Sequence, residues 1–273
     1  MYESYWQLSA KPFDPSADER WYYPSEIHQS ALLKLRYAIE NRRGAALLTG
    51  AAGTGKSLVV KALRKQLPGT FAPFVHLVFP QMTSRELLAY LADELGAAPA
   101  ISNVHAMDES LHRLERTLTD NTARGRHAVV AIDEAQLLLD TGLLETLRLL
   151  LNLEAGSQPA LTLLLVGQPA LLPALDRMPT FEERIGVKCL LRPLTADETA
   201  AYVSHRLRAA GAAREIFTAP AVAALHQLSG GNPRRINRLC DLALLVGFAE
   251  ERGELGPEQI EAVANELVTV TPE

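Results

Sequence analysis

The sequence has no apolar run long enough to cross a bilayer. Its longest uncharged apolar stretches, Leu161 to Val166 and Leu242 to Ala249, fall far short of the roughly 20 residues that a spanning helix needs. The first residues, Met1-Tyr2-Glu3-Ser4-Tyr5-Trp6, have neither a basic start nor an apolar segment, so no secretory signal is visible. Cysteine is scarce. Cys189 falls in an expected strand and Cys240 in an expected helix, neither with a Cys or His neighbour at metal-ligand spacing, and both are expected to be buried structural thiols. Positive charge is not in excess: 27 Lys and Arg stand against 32 Asp and Glu, a net charge of −5. That balance argues against a general nucleic-acid-coating protein and leaves room only for a local basic patch. These absences predict a cytoplasmic protein, or one peripheral on the cytoplasmic face of a membrane. With 273 residues, 48% of them hydrophobic, the chain can bury a large core, and one α/β domain plus a smaller one is expected.

What is present is a phosphate-binding pattern. Gly50-Ala51-Ala52-Gly53-Thr54-Gly55-Lys56-Ser57 fits G-x-x-x-x-G-K-S/T at every position. The apolar run Ala45 to Thr49 leads in as a buried strand, and a helical pattern from Ser57 to Leu67, with Leu58 in its first turn, leads out. Glycines let the backbone wrap a polyphosphate so that N–H groups and the helix N-terminus face the anion. Lys56 then reaches the β- and γ-phosphates, and the Ser57 hydroxyl can ligate Mg²⁺. The pattern predicts a nucleoside-triphosphate site. A second segment, Val129-Val130-Ala131-Ile132-Asp133-Glu134-Ala135-Gln136, is an apolar strand with two carboxylates at its C-terminal end, the edge where parallel sheets place ligands. Asp133 is the expected Mg²⁺ holder and Glu134 the expected polariser of the attacking water. The plainer alternative is an acidic helix start.

Strands are expected at Phe74 to Phe79, Leu161 to Val166 and Val187 to Leu191. They alternate with helices over Ser25–Arg43, from the capping box Thr83-Ser84-Arg85-Glu86 to near Gly96, over Met107–Arg124 and over Gly142–Leu153. Such alternation means a parallel sheet covered on both faces. After Pro193 the pattern turns all-helical, opening on the capping box Thr195-Ala196-Asp197-Glu198. Helices are expected at Asp197–Ala210, Ala219–Leu228, Pro233–Glu251 and Pro257–Leu267. The expected organisation is therefore an aromatic, proline-containing lead-in over 1–24, an α/β core over 25–193 and a helical lid over 194–273.

Further polar residues sit where such a site needs them. Gln168 ends the strand after that of Asp133 and can hydrogen-bond the γ-phosphate or the attacking water. Arg184, before the last strand, can reach a neighbouring protomer's γ-phosphate. It can equally form a surface ion pair with Glu182 or Glu183, with Arg177 as the fallback finger. In Gly231-Asn232-Pro233-Arg234-Arg235-Ile236-Asn237-Arg238, Asn232 can cap a helix and Pro233 suits its first turn. Cations disfavour a helix N-terminus by ~0.3–1 kcal/mol, so this basic cluster predicts an anionic partner. Arg234 is the expected nucleotide contact. Arg235 and Arg238 face nucleic acid, another protomer or solvent.

These features together resemble the AAA+ ATPases of the general secretion pathway protein A (ExeA-type) group, including those found beside exopolysaccharide and exosortase loci. The resemblance rests on Met1-Tyr2 to Pro12-Phe13, Tyr22-Tyr23-Pro24-Ser25 with His28, Asp133-Glu134-Ala135-Gln136, Val166-Gly167-Gln168-Pro169, Arg184-Ile185 and Gly231 to Cys240. It implies a parallel P-loop NTPase sheet of order 5-1-4-3-2 with a C-terminal all-helical lid, and ATP hydrolysis between subunits of a ring or filament. It also implies that Gln168, Arg184 and Arg234 serve as sensor 1, finger and sensor 2, and that the lead-in around Tyr22 to His28, with Tyr23 and His28 as its contacts, helps enclose the adenine. Ser57 stands where these relatives mostly carry Thr, an equivalent Mg²⁺ ligand. Secretion members of full length continue into a transmembrane segment and a peptidoglycan-binding region, so their cell-wall role is not carried over to a chain ending at Glu273. The expected function is an ATP- and Mg²⁺-dependent assembly ATPase of a secretion or envelope apparatus, its protein partner unknown. The alternative is a DNA-associated regulator of the TniB/TnsC transposition kind, which the acidic balance disfavours.

Overall fold

The computed structural model describes residues 1–14, 19–99, 107–155 and 158–269. Most of the stretch between Gly96 and Met107, and Pro15 of the lead-in, lie outside the described residues. Five apolar segments form strands: β1 Ala45–Gly50, β2 Phe74–Leu77, β3 Ala128–Ile132, β4 Leu161–Gly167 and β5 Ile185–Leu191. Neighbours pair in parallel in the order β5-β1-β4-β3-β2, the order that the resemblance implies. Every residue of β1, β3 and β4 is buried, as expected where helices cover both faces of a parallel sheet.

Side-chain alternation along the strands divides the core between those faces. Leu47, Val130, Leu163 and Leu165 pack with Leu87 and Leu91 of α3 (Ser84–Glu94), Leu114 of α4 (Met107–Ala123) and Leu147 of α5 (Leu143–Leu150). Leu48, Val129, Leu164 and Val166 pack with Leu35 and Ile39 of α1 (Glu26–Glu40) and Val59 and Leu63 of α2 (Lys56–Gln66). α1 ends at Glu40, short of the expected Arg43, because Arg42 turns left-handed at φ 50° before Gly44 at φ 70°. β5 starts at Ile185, two residues before the expected Val187, since Ile185 already pairs with Ala45. Two short helices, α6 (Leu171–Asp176) and α7 (Pro179–Glu182), and a small hairpin of Glu154–Ala155 with Gln158–Pro159 fill connections too brief for periodicity to reveal.

The chain forms two compact units. One comprises Ile27–Ala51 and Val59–Leu191 and contains the sheet; the other comprises Met1–Glu26, Ala52–Leu58 and Arg192–Glu273. The second unit holds α8 (Ala196–Ala209), α9 (Ala219–Ser229), α10 (Pro233–Ala249) and α11 (Pro257–Thr269). Thr83 with Glu86, and Thr195 with Glu198, form the two expected capping boxes, each closing reciprocal backbone bonds at a helix start. Tyr2, Trp6, Leu8, Phe13 and Trp21 of the lead-in are buried among Leu207, Leu225, Ile236 and Leu244 of these helices. Trp6 Nε1 donates to the Leu244 carbonyl at 3.0 Å. Cys189 and Cys240 are buried free thiols, and burial pushes the Cys189 thiol up to about 11.

Arg206 ties the lead-in to α8. It is 3% exposed and donates to the Pro12 carbonyl at 2.5 Å and the Asp14 carbonyl at 2.9 Å. Its guanidinium also lies 4.8 Å from the Trp21 ring and 5.9 Å from the Phe13 ring. A buried cation is tolerated only when its donors are used. Arg206→Leu removes those donors while keeping apolar bulk, and is expected to destabilise the protein by about 1–3 kcal/mol, read as a lower melting temperature in thermal unfolding.

Candidate functional site

Parallel pairing brings three strand ends to one edge of the sheet. Thr49 lies beside Gly167 and Ile132 beside Leu165, so Gly50, Gln168 and Asp133 leave β1, β4 and β3 at the same C-terminal edge. This is the edge at which open parallel sheets receive ligands.

The phosphate loop begins there. Gly53 and Gly55 adopt φ of 84° and 95°, a region that L side chains resist and glycine enters freely. Thr54 and Lys56 are buried at 1% and 7% exposure. Lys56 opens α2, Ser57 and Leu58 follow in its first turn, and the Leu58 N–H donates to the Gly55 carbonyl at 3.0 Å. In the helical unit the loop meets the start of α10. Asn232 caps that helix, its side-chain oxygen accepting from the N–H groups of Arg234 and Arg235, with Pro233 in the first turn. The Asn232 amide also donates to the Ala52 carbonyl at 2.8 Å, and the Arg234 N–H points to the Gly53 carbonyl at 3.4 Å. A Cβ on Gly53 would stand 2.6 Å from Asn232 Oδ1 and 2.7 Å from Arg234 Cβ. The structure thus seats the expected nucleotide contact Arg234 beside the loop, with its side chain exposed. Asn232 has a second role, holding the loop, that its helix-capping signature alone does not reveal.

The carboxylates leave β3 in different environments. Asp133 is 5% exposed, and its Oδ1 accepts from the Glu134 N–H at 2.9 Å. His76 of β2 places Nε2 3.8 Å from Asp133 Oδ2, a neighbour whose sequence signal is a lone polar ring in an apolar strand. Glu134 is exposed and left-handed at φ 51°, leading into a single-turn helix, Ala135–Leu138. Its Oε2 accepts from Gln136 Nε2 at 2.5 Å, and Gln136 Oε1 accepts from the Gln168 N–H at 3.0 Å. The side chain of Gln168 is exposed.

Arg184 is exposed and donates to Asn152 Oδ1 at 3.1 Å. Glu182, one of its alternative ion-pair partners, instead pairs with Lys188 at 2.8 Å. Arg177 ends α6, also exposed. Tyr23 belongs to the helical unit, edge-on to Tyr202 with ring centroids 5.7 Å apart, whereas His28 is buried on α1 of the sheet unit. Among the described residues no cluster of three or more His, Cys, Asp or Glu could hold a metal by itself. Mg²⁺ takes one or two protein oxygens and completes its shell with phosphate and water; the Asp133 carboxylate and the Ser57 hydroxyl are each oxygen donors of that kind.

The crowding at Gly53 generates a prediction. Gly53→Ala, strained at φ 84° and in collision with Asn232 and Arg234, is expected to leave the fold intact and weaken binding of a fluorescent ATP analogue at least ~10-fold, about 1.4 kcal/mol. Gly69→Ala, where a Cβ meets nothing within 4 Å, is the control.

A family model described as an AAA domain matches residues 39–175. The general secretion pathway protein A of Aeromonas hydrophila is 39% identical over 280 residues, covering 100% of this chain and 50% of that one, so the chain spans half the length of this curated relative. Among solved structures, Cdc6p from Pyrobaculum aerophilum superposes with a TM-score of 0.72 at 19% identity, over 96% of this chain and 74% of that one. The Aeropyrum pernix ORC2 protein, in its ADPNP–ADP complexes, does so with a TM-score of 0.68 at 17% identity, over 94% and 72%. At those identities the likeness is one of fold. Phosphate loop, paired carboxylates, sheet order, helical C-terminal part and family match converge: this chain belongs to the AAA-domain family of P-loop ATPases, of the general secretion pathway protein A kind.

Proposed function

We propose that this chain binds Mg-ATP and hydrolyses it to ADP and phosphate between adjacent protomers of a homo-oligomer. The observation that carries the reading is the convergence of Gly50, Asp133 and Gln168 on one sheet edge. In this mechanism the loop N–H groups from Ala51 to Ser57, with Lys56, cradle the phosphates, a geometry that left-handed Gly53 and Gly55 favour. Ser57 and Asp133 are the residues that would hold Mg²⁺, which when bound would supply neutralising charge at the phosphates. Glu134 takes the proton of the water that attacks the γ-phosphorus as the bond to the β-phosphate oxygen breaks, and Gln168 orients that water. Arg234 contacts the nucleotide from α10, and Tyr23 and His28 border the adenine. Arg184 reaches a neighbour's γ-phosphate; its exposure and its neutral partner Asn152 leave its charge available for that contact.

In the cell, this cycle drives assembly or remodelling of a secretion or envelope apparatus from the cytoplasmic side. That step is suggested by the 39% identity to general secretion pathway protein A. The domain reading is a nucleotide-binding core over 25–193 and a helical lid over 194–273, preceded by the lead-in. Among the described residues no helix is long and apolar enough to cross a membrane.

The decisive measurement is ATPase rate against protein concentration, with and without duplex DNA, alongside light scattering. Turnover per protomer that climbs with concentration and ignores DNA is the expected result. Turnover or assembly that requires DNA would put a transposition-type regulator in its place. Two variants sharpen the assignment. Arg184→Ala is expected to lose roughly 10³-fold in turnover, the lower end of an arginine finger's contribution, while retaining ATP binding. Glu134→Gln is expected to cost about 10²–10⁴-fold in hydrolysis, the range for a general base, and to accumulate the ATP-bound assembly.

A further inference from the structure

We infer that Gln136 is a positioning residue that holds the Glu134 carboxylate and couples it to the end of β4. The inference rests on the reading of Glu134 as the base. The Gln136 amide has its two ends committed to different partners: its oxygen accepts from the Gln168 N–H at 3.0 Å, and its nitrogen donates to Glu134 Oε2 at 2.5 Å. The backbone donor at Gln168 dictates which way the amide faces, so the NH₂ is aimed at the carboxylate by necessity. One side chain thus spans the ends of two neighbouring strands, β3 and β4, from which Glu134 and Gln168 both emerge.

The surrounding backbone is shaped to admit this bridge. A Cβ on Gly167 would stand 2.7 Å from Gln136 Oε1 and 2.5 Å from Leu171 Cδ1, so only glycine leaves the amide its place. Glu134 itself sits in the left-handed region at φ 51°, an unfavoured conformation for a residue with a side chain. Its carboxylate is exposed and would otherwise sample several rotamers. The bond to Gln136 engages Oε2 and leaves Oε1 to accept from water. A base already oriented avoids the loss of effective concentration that a mobile one suffers. Because the same amide reads the Gln168 backbone, a shift of the β4 end is transmitted to the base without contact between the Gln168 side chain and Glu134.

The test is steady-state ATPase kinetics on variants of this 273-residue chain, with ATP-analogue binding and thermal melting measured in parallel. Gln136→Ala is expected to lower kcat roughly 10–100-fold, a fraction of what a general base contributes, with KM and analogue affinity within about 2-fold. Gln136→Glu keeps an acceptor for the Gln168 N–H but sets a carboxylate against Glu134, and is expected to lower kcat as much or more. Gly167→Ala is expected to mimic Gln136→Ala and to add little in the double variant, because both act through the same amide. An unchanged or increased kcat in Gln136→Ala overturns the inference, as does a loss confined to KM or a Gln136→Glu variant of full activity. Glu134→Gln separates the two levels: if it hydrolyses normally, the reading of Glu134 as base fails. If it is inactive while Gln136→Ala is normal, only the positioning role fails.

Discussion

The structure depends on one constraint: a parallel sheet buried on both faces must direct its polar work to its edges. β1, β3 and β4 expose none of their residues, so no side chain along their length can meet a phosphate or a water. Charge and flexibility return only where the strands end. Parallel pairing then aligns those ends, and in the order β5-β1-β4-β3-β2 the phosphate loop, Gln168 and the Asp133–Glu134 pair emerge from three adjacent strands. Burial that stabilises the sheet thereby concentrates the chemistry. Each buried leucine side chain is worth about 1.5–3 kcal/mol, so the sheet edge can hold unfavourable features such as the left-handed Glu134 and the buried Asp133.

The helical unit contributes a different kind of order. Its core takes as many large side chains from the first residues of the chain as from single helices, with Trp6, Phe13 and Trp21 all buried. Arg206 fixes that segment by pairing with backbone carbonyls, so its charge is spent on dipoles rather than on a carboxylate. The same unit presents the start of α10 to the loop through Asn232, whose one side chain caps the helix and grips Ala52. Glycine at position 53 makes that approach sterically open. Recognition of the loop and termination of the helix are thus one local event.

Much of this was legible in the residues. The phosphate loop could be read because its glycines, lysine and serine serve backbone and charge requirements that leave few substitutes. Asp133 and Glu134 could be read because carboxylates directly after four apolar residues mark a buried strand reaching its edge. Both capping boxes and all four C-terminal helices carried local start signals. The short helices α6 and α7 did not, since one or two turns are too brief to establish a period and owe their form to packing by Leu171, Leu175 and Phe181. Gln136 and His76 escaped for another reason. Their neighbours, Gln168 and Asp133, stand just past the ends of adjacent strands, and nothing in the spacing of a polar residue states what stands across from it.

The sequence by itself determined the phosphate-loop motif, the α/β alternation and the residue types that reach the sheet edge, because each of these is a local consequence of backbone freedom, periodicity or charge. Tertiary structure alone decided which of those residues meet. The pairing of β3 with β4 puts Gln136 between Glu134 and Gln168, and the packing of α10 brings Asn232 to Ala52. Those contacts join residues 32 and 180 positions apart, and separations of that length are settled by which buried surfaces fit together, not by any preference of the chain between them.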